Sequence, residues 1–158
     1  MSGVLYVVAT PLGNLDDLSP RAQRILGEVD LIACEDTRHT RKLLNHFEIH
    51  TPTTSYHQHN ETAKTGELLT RLREGRHIAL VSDAGTPLVS DPGYLLVSAC
   101  REEKIAVFPV PGPSAAVAAL SVSGLPADRS LFVGFLPRRT APQREQIQHL
   151  SHEESTLL

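Results

Sequence analysis

The chain's 158 residues, 41% of them hydrophobic, exclude a disordered protein and suit one compact α/β core with the opening of a second domain. The formal net charge of −3 argues against a protein that grips nucleic acid over its whole surface. No stretch approaches the roughly 18 consecutive apolar residues of a membrane span, and the N-terminus lacks a signal-like basic region, so we expect a cytoplasmic protein with no membrane contact.

Apolar runs alternate with helical patterns along the first part of the chain. The runs predict buried strands at 4–9, 31–34, 53–56, 78–81 and 106–110. Capping residues and apolar spacing predict helices that begin after Ser19, after Asp36 or Thr37, after Asn60, after Asp91 and at Ser114. Five successive strand–helix units predict an α/β fold, an open and mostly parallel sheet with helices on both faces.

The pattern restarts after Pro126. A strand is predicted at 131–135, a polar helix near 143–150 and a strand that breaks off at 156–158. We therefore predict an N-terminal α/β domain at 1–124, followed at 125–158 by a linker and the truncated start of a second α/β domain. Because the chain stops inside an apolar element, we expect further sequence downstream.

Three loops that directly follow predicted strands are rich in glycine and proline. We call them the first loop (10–14), the second loop (82–93) and the third loop (110–115). Ligands of open α/β sheets bind outside the carboxyl ends of the strands, where these loops lie. Glycine permits close backbone approach and proline stiffens a loop, so such loops suit a flat heterocycle. The glycine fingerprints of dinucleotide and nucleoside triphosphate binding are absent from the sequence.

These loops carry a family resemblance. Together with Cys34–Arg38, Ser55–Glu61 and Gly134–Arg138, they closely resemble the ribosomal RNA branch of the tetrapyrrole-methylase superfamily. The resemblance implies two α/β domains with S-adenosylmethionine in the cleft between them. It places the cofactor contacts at Pro11, Asp83, Gly85, Thr86, Val89, Ser90, Ser114 and Ala115. The sequence Ser82-Asp83-Ala84 stands where many tetrapyrrole methylases have Gly-Asp-Pro, which favours the RNA branch.

The same resemblance implies a function. It indicates an S-adenosylmethionine-dependent methyltransferase that acts on the 2′-hydroxyl of a cytidine ribose in small-subunit ribosomal RNA, as a homodimer and with the 30S subunit as partner. Two alternatives stay open at this point. One is a methylase of a corrin or porphyrin precursor, and the other is a cofactor-binding fragment without activity of its own.

A ribose hydroxyl is a poor nucleophile until a positioned base withdraws its proton. The candidate catalytic residues are Glu35 and Asp36 at the end of the second strand, with His57 and His59 as alternatives. The His-x-His pair lacks the further ligands that a metal site needs, so no metal is expected.

Basic residues follow the second strand and the domain junction. The candidate RNA-binding residues are Arg38, Arg41, Lys42, Arg138 and Arg139, with His39 beside them. The first group fits equally well the solvated face of a short amphipathic helix.

Overall fold

The computed structural model describes residues 2–158, which divide into two compact units, one ending at Ser114 and one spanning Ala115–Leu158. The domain boundary predicted at 124/125 lies after the first helix of the second unit, and the assignment of domains stays a prediction. No helix in the described part of the chain is long and apolar enough to cross a membrane.

The first unit is built on a five-stranded sheet. Its strands are β1 (Val4–Val8), β2 (Leu31–Cys34), β3 (Thr53–Ser55), β4 (Ile78–Val81) and β5 (Ala106–Val110). They lie in the order β3-β2-β4-β1-β5, and every neighbouring pair is parallel. The predicted α/β class with an open parallel sheet is confirmed.

Four helices cover the two faces of this sheet. They are α1 (Pro20–Glu28), α2 (Thr37–His46), α3 (Glu61–Arg73) and α4 (Tyr94–Glu102). In β4, Ala79 and Val81 belong to the core under α1 and α2, whereas Ile78 and Leu80 belong to the core under α3 and α4. A strand buried on both faces must be apolar at every position, which is why β2 and β4 read as continuous hydrophobic runs.

The strand order places a switch point between β1 and β4. The chain leaves β1 for α1 on one face of the sheet and leaves β4 for α4 on the other. In open α/β sheets the ligand-binding crevice lies at such a point, outside the carboxyl ends of the strands. The first and second loops begin there.

Helix starts are set by side-chain caps in two cases. The Ser19 hydroxyl accepts the N–H of Ala22 at 3.1 Å, with Pro20 as the first helical residue of α1. The Asp36 carboxylate accepts the N–H of Arg38 at 2.8 Å and caps α2. The predicted Ser19 cap is confirmed, and of the two caps predicted for α2, Asp36 or Thr37, the structure has Asp36.

Two other predicted caps do not form. Helix α3 begins after Asn60 as predicted, but the Asn60 side chain does not cap it. The Asn60 side chain accepts the N–H of His57 at 2.8 Å and donates to the carbonyl of Ser55, so it fastens the turn before α3 instead of capping the helix. Helix α4 begins at Tyr94 and not after Asp91, because Gly93 occupies the N-cap position with a φ of +140°.

A buried polar network joins α3 to the start of α4. The hydroxyl of Tyr56 lies 3.1 Å from the Glu61 carboxylate and 3.0 Å from the Thr65 hydroxyl, and burial raises the pKa of Tyr56 to about 12. The same Glu61 oxygen accepts the N–H of Gly93 at 3.0 Å. The network thus ties the N-cap residue of α4 to the first residue of α3.

Replacement of Tyr56 tests this network. Tyr56 is 1% exposed, so Tyr56→Phe removes a buried hydroxyl and is expected to lower the free energy of unfolding by about 1–2 kcal/mol in urea denaturation. The control is Tyr94→Phe, whose side chain is 71% exposed and whose change is expected to stay within about 0.5 kcal/mol. Equal effects of the two substitutions would refute a stabilising role for the network.

The second unit contains α5 (Ala115–Val122), β6 (Ser130–Leu131), α6 (Thr140–Leu150) and β7 (Thr156–Leu157), with β6 and β7 parallel. The strand predicted at 131–135 is shorter than expected. Its pairing with β7 covers two residues, and Gly134 then turns the chain with a φ of +80°. Residues on β7 and α6 line an apolar groove of about 450 Å³.

Both cysteines lie in the first unit. Cys34 and Cys100 are free thiols and are fully buried. Burial raises the pKa of both, that of Cys100 to about 11. A buried thiol that stays protonated behaves as a small hydrophobe and is a poor nucleophile.

Candidate functional site

The first and second loops are joined by backbone hydrogen bonds. The N–H of Thr10 donates to the carbonyl of Gly85 at 2.9 Å, and the N–H of Gly85 donates back to the carbonyl of Thr10 at 3.0 Å. The buried Thr10 hydroxyl also donates to the carbonyl of Ser82 at 3.2 Å. These bonds form an antiparallel bridge beyond the ends of the parallel strands β1 and β4 and hold the two loops in one arrangement.

The third loop is fastened to the other two. The hydroxyl of Thr86 donates to the carbonyl of Pro113 at 3.0 Å. A Cβ at Gly112 would lie 3.0 Å from the Cβ of Ala9, so only glycine lets the third loop pass this close to the end of β1. All three loops therefore meet at the carboxyl edge of the sheet, beside the switch point.

The second loop has an unusual backbone. Gly85 has a φ of +85°, and the non-glycine residues Leu88 and Ser90 have φ values of +73° and +63°. Positive φ in a non-glycine residue is uncommon and is often retained at binding sites. The N–H and C=O of Gly85 both pair with Thr10, so its positive φ serves the bridge between the first and second loops.

The predicted cofactor contacts fall on this edge with one exception. Pro11 follows the Thr10–Gly85 bridge, Asp83 and Thr86 flank it, and Ser114 follows the Thr86–Pro113 bond. Val89 and Ser90 are exposed farther along the second loop. Ala115 lies in the second unit, in α5.

Asp36 is engaged in local structure. Besides capping α2, its carboxylate pairs with the Arg38 guanidinium at 3.0 Å, and these hydrogen bonds lower the pKa of Asp36 to about 2. The N–H of Asp36 donates to the Asp83 carboxylate at 3.0 Å. Asp83 therefore ties the second loop to the start of α2, a structural contact that its position in the sequence did not indicate.

The neighbouring Glu35 has a different environment. Burial raises the pKa of Glu35, and the negative charges of Asp83 and Asp91 raise it further, while His57 acts in the opposite direction. Burial likewise raises the pKa of Asp91. A carboxyl group whose pKa is shifted toward neutrality, at the mouth of a ligand crevice, has the property expected of a general base.

His57 stands close enough to act on the charge of Glu35. Its backbone N–H donates to the Asn60 side chain at 2.8 Å, and its ring lies 5.9 Å from that of His59. Its Nδ1 atom is buried and has no hydrogen-bond partner among residues 2–158. In the same residues, no group of three or more His, Cys, Asp or Glu side chains is arranged to hold a metal ion.

A cavity of about 250 Å³, which we call the α2 cavity, lies between the first loop and α2. Proline, leucine and threonine side chains line it, with basic and acidic groups among them. Its lining includes Pro11, Leu15, His39, Lys42, Leu43 and Asp83.

The predicted RNA-binding residues fall in both units. Arg38, Arg41 and Lys42 are exposed on α2, and of these only Arg38 forms an ion pair within the described residues. Arg138 and Arg139 precede α6 in the second unit and are exposed. The structure thus gathers the first three on one helix beside the α2 cavity.

The sequence did not predict the roles of several residues at this site. Thr10 and Ser82 were read as loop residues, although both are buried and hold the loops together. The available signal was a small polar residue at the end of a fully apolar strand. Asp91 was read as a helix cap, and its charge instead acts on Glu35.

Comparison with known sequences gives relatives of high identity. The chain is 58% identical over 156 residues to the ribosomal RNA small subunit methyltransferase I of Xylella fastidiosa strain Temecula1, covering 99% of this chain and 57% of that protein. It is 56% identical to the protein of the same name from Synechocystis sp. PCC 6803 and 53% identical to that from Escherichia coli O157:H7. These matches again cover 99% of this chain, and 56% and 54% of the relatives. The chain thus spans a little over half the length of these relatives.

Solved structures share the fold. A uroporphyrin-III-C-methyltransferase from Thermus thermophilus is 26% identical, with a TM-score of 0.63 over 84% of this chain and 60% of that one. The precorrin-6Y methylase from Archaeoglobus fulgidus is 20% identical, with a TM-score of 0.58 over 84% of this chain and 64% of that one, and shows the fold alone.

The family model for tetrapyrrole (corrin/porphyrin) methylases matches residues 4–158. This range includes all five strands of the parallel sheet and the three loops at its carboxyl edge. The chain therefore belongs to the tetrapyrrole (corrin/porphyrin) methylase family.

Proposed function

We propose that this chain is the donor-binding part of an S-adenosylmethionine-dependent methyltransferase that methylates the 2′-hydroxyl of a cytidine ribose in small-subunit ribosomal RNA. The observation that carries the proposal is the junction of three glycine- and proline-rich loops at the carboxyl edge of the sheet, tied by the Thr10–Gly85 bridge. The names of relatives 53–58% identical to the chain support the choice of RNA as substrate.

The loops fit a methyl donor with an adenine ring. The positive φ of Gly85 and the 3.2 Å between a Cβ built there and the Leu12 side chain show that glycine lets the second loop pass close to the first loop. Pro11, Asp83, Thr86 and Ser114 would hold the donor, with Val89 and Ser90 of the second loop and Ala115 of α5. When bound, S-adenosylmethionine supplies an electrophilic methyl group on a sulfonium, and the chain's own residues must align the acceptor with it.

Glu35 is the better of the two carboxylates among the candidate bases. Asp36 is held ionised by its hydrogen bonds to Arg38, and a carboxylate with a pKa of about 2 has little affinity for a proton. Glu35 has a raised pKa, lies in a partly buried position and is free of an arginine partner among the described residues. In this proposal Glu35 withdraws the proton of the ribose hydroxyl, and Asp36 positions α2.

Helix α2 would provide the local RNA contact that the overall negative charge requires. Arg41→Glu is expected to weaken binding of small ribosomal subunits about tenfold and to reduce the salt dependence of binding, because phosphate contacts release counterions. The control is Lys104→Glu. Lys104 precedes β5, which is the edge strand farthest from β2 and β3, the two strands that α2 connects. Filter binding at several salt concentrations gives both values, and equal losses in the two variants would count against a specific surface on α2.

Two assays test the proposed function and its alternatives. Calorimetry with S-adenosylmethionine separates a donor-binding protein from one that binds no donor. The second assay measures incorporation of labelled methyl groups into small ribosomal subunits and, separately, into a uroporphyrinogen. It distinguishes an RNA substrate from a tetrapyrrole substrate, the alternative supported by the name of the 26% identical solved structure. Donor binding without methyl transfer to either substrate would identify a binding fragment.

We also propose a cytoplasmic homodimer that acts on the 30S subunit. The proposal rests on the family resemblance and on the buried free thiols of Cys34 and Cys100, which suit a reducing compartment. Light scattering coupled to gel filtration should give twice the chain mass. A single-chain mass at micromolar concentration would exclude a stable dimer.

A further inference from the structure

We propose that the α2 cavity receives the nucleotide that is methylated, with its heterocycle inside the cavity and a flanking phosphate at Lys42. This inference rests on the proposed function, since it assigns a place to the substrate of that reaction. It adds a binding site for one unstacked ribonucleotide beside the methyl donor, with Pro11 and Asp83 shared between the two.

The cavity lies between the predicted donor contacts and the basic helix α2. Pro11 and Asp83, two of the predicted donor contacts, line it on one side. His39 and Lys42, on the helix with the free basic groups, line it on the other. One side of the first loop contacts Gly85, where the donor is proposed to bind, and its other side faces the cavity and α2. A nucleotide in the cavity would therefore lie beside the donor.

The size of the cavity selects among substrates. Its volume of about 250 Å³ falls below the range of about 300–1,000 Å³ that is usual for drug-sized ligands. A tetrapyrrole macrocycle is much larger than a single nucleoside, so the cavity suits the nucleoside. Proteins read single-stranded RNA by taking unstacked bases into pockets of this kind.

The lining matches the two ends of a nucleotide. Pro11, Leu15 and Leu43 supply apolar surface for the faces of a heterocycle. Lys42 is exposed and has no ion pair among residues 2–158, so its ammonium group is available to a phosphate. The negative charge of Asp83 repels a phosphate, so the phosphate of the nucleotide would lie at Lys42. The sugar would then lie on the side of Asp83 and the nearby Glu35.

Filling the cavity is the first test. Leu15 is 37% exposed and lines the cavity, so Leu15→Trp adds bulk there with little demand on the core. We expect kcat/KM for small ribosomal subunits to fall at least about tenfold, while the Kd for S-adenosylmethionine stays within about twofold. The control is Leu95→Trp on α4, where Leu95 is 40% exposed and lies outside the cavity.

Neutralising the cation is the second test and does not depend on packing. Lys42→Gln is expected to reduce the slope of log Kd for small ribosomal subunits against log salt by about one phosphate contact, with donor binding unchanged. Lys104→Gln is the matched control, since Lys104 is also exposed and lies at the opposite edge of the sheet.

The outcomes separate this inference from the proposed function. If the wild-type protein binds donor and methylates RNA, but Leu15→Trp and Lys42→Gln behave like their controls, the cavity assignment is wrong and the function stands. If Leu15→Trp abolishes donor binding, the cavity belongs to the donor and the assignment is again wrong. If the wild-type protein binds the donor but methylates only the tetrapyrrole, the proposed function fails and the cavity assignment fails with it.

Discussion

Glu35→Gln is expected to lower the rate of methyl transfer to small ribosomal subunits about 100- to 10,000-fold, the range that a general base contributes. The amide keeps the size of the side chain but cannot accept the proton of a ribose hydroxyl. Because Glu35 acts on the acceptor, calorimetry should show an unchanged Kd for S-adenosylmethionine. Single-turnover methyl incorporation at saturating donor measures the chemical step directly.

Asp36→Asn is the matched control for this substitution. Asparagine is as good an N-cap as aspartate, so α2 keeps its start, and the lost pairing with Arg38 lies at the surface. We expect near-normal methyl transfer. A normal rate in Glu35→Gln, or an equal loss in Asp36→Asn, would remove Glu35 from its proposed role.

The raised pKa of Glu35 also has a consequence for stability. A carboxyl group whose pKa is higher in the folded state stabilises the fold below its unfolded pKa and loses that contribution as pH rises through the folded pKa. At pH 7 Glu35 is therefore an unfavourable charge, and Glu35→Gln should unfold at a higher temperature than the wild type. The difference should vanish below about pH 4. Increased stability together with lost activity is typical of a residue kept for catalysis.

Gly85→Ala is expected to reduce the affinity for S-adenosylmethionine at least about tenfold. Alanine at a φ of +85° costs about 1–2 kcal/mol, and its Cβ would lie 3.2 Å from the Leu12 side chain. Movement of Gly85 would also disturb the two hydrogen bonds to Thr10 that set the loop arrangement. Calorimetry gives the affinity, and urea denaturation gives the accompanying loss of stability.

Gly66→Ala is the control for glycine removal. Gly66 lies inside α3, and a Cβ there would meet nothing within 4 Å. Alanine should therefore raise the free energy of unfolding by about 0.5–1 kcal/mol and leave donor affinity unchanged. Unchanged donor affinity in Gly85→Ala would contradict the role given to the second loop.

Strands and helices could be predicted from the sequence where burial restricts the residue types that a position can hold. The runs at 31–34 and 78–81 are apolar at every position because both faces of those strands are covered, and their bounds were predicted exactly as they occur. The Ser19-Pro20 start of α1 is a local signal of the same clarity. Strand order is a property of long-range packing, and no local pattern reports that β1 lies between β4 and β5.

The cap predictions at Asn60 and Asp91 fail because another local interaction or backbone conformation competes with the cap. Asn60 has the chemistry of a cap, but the turn after β3 takes up its side chain. Asp91 likewise has cap chemistry, but positive φ at Ser90 and Gly93 delays the helix until Tyr94.

The separation of Glu35 from Asp36 as candidate bases required three-dimensional information. Their positions in the chain are adjacent, whereas their charge environments are opposite, because Arg38 pairs with one and the charges of Asp83 and Asp91 act on the other. Glycine and proline after apolar strands singled out the three loops, and the family resemblance predicted which of their residues contact the donor. The tie between Asp83 and the backbone of Asp36 became visible only in the fold.

A crystal structure of the protein with S-adenosylmethionine tests the central claim most directly. We predict the donor at the carboxyl edge of the sheet, in contact with the backbone of the second loop around Gly85 and with Pro11 and Ser114. Donor bound at any other place, or no donor at a concentration that saturates binding in solution, would contradict the role of the three loops.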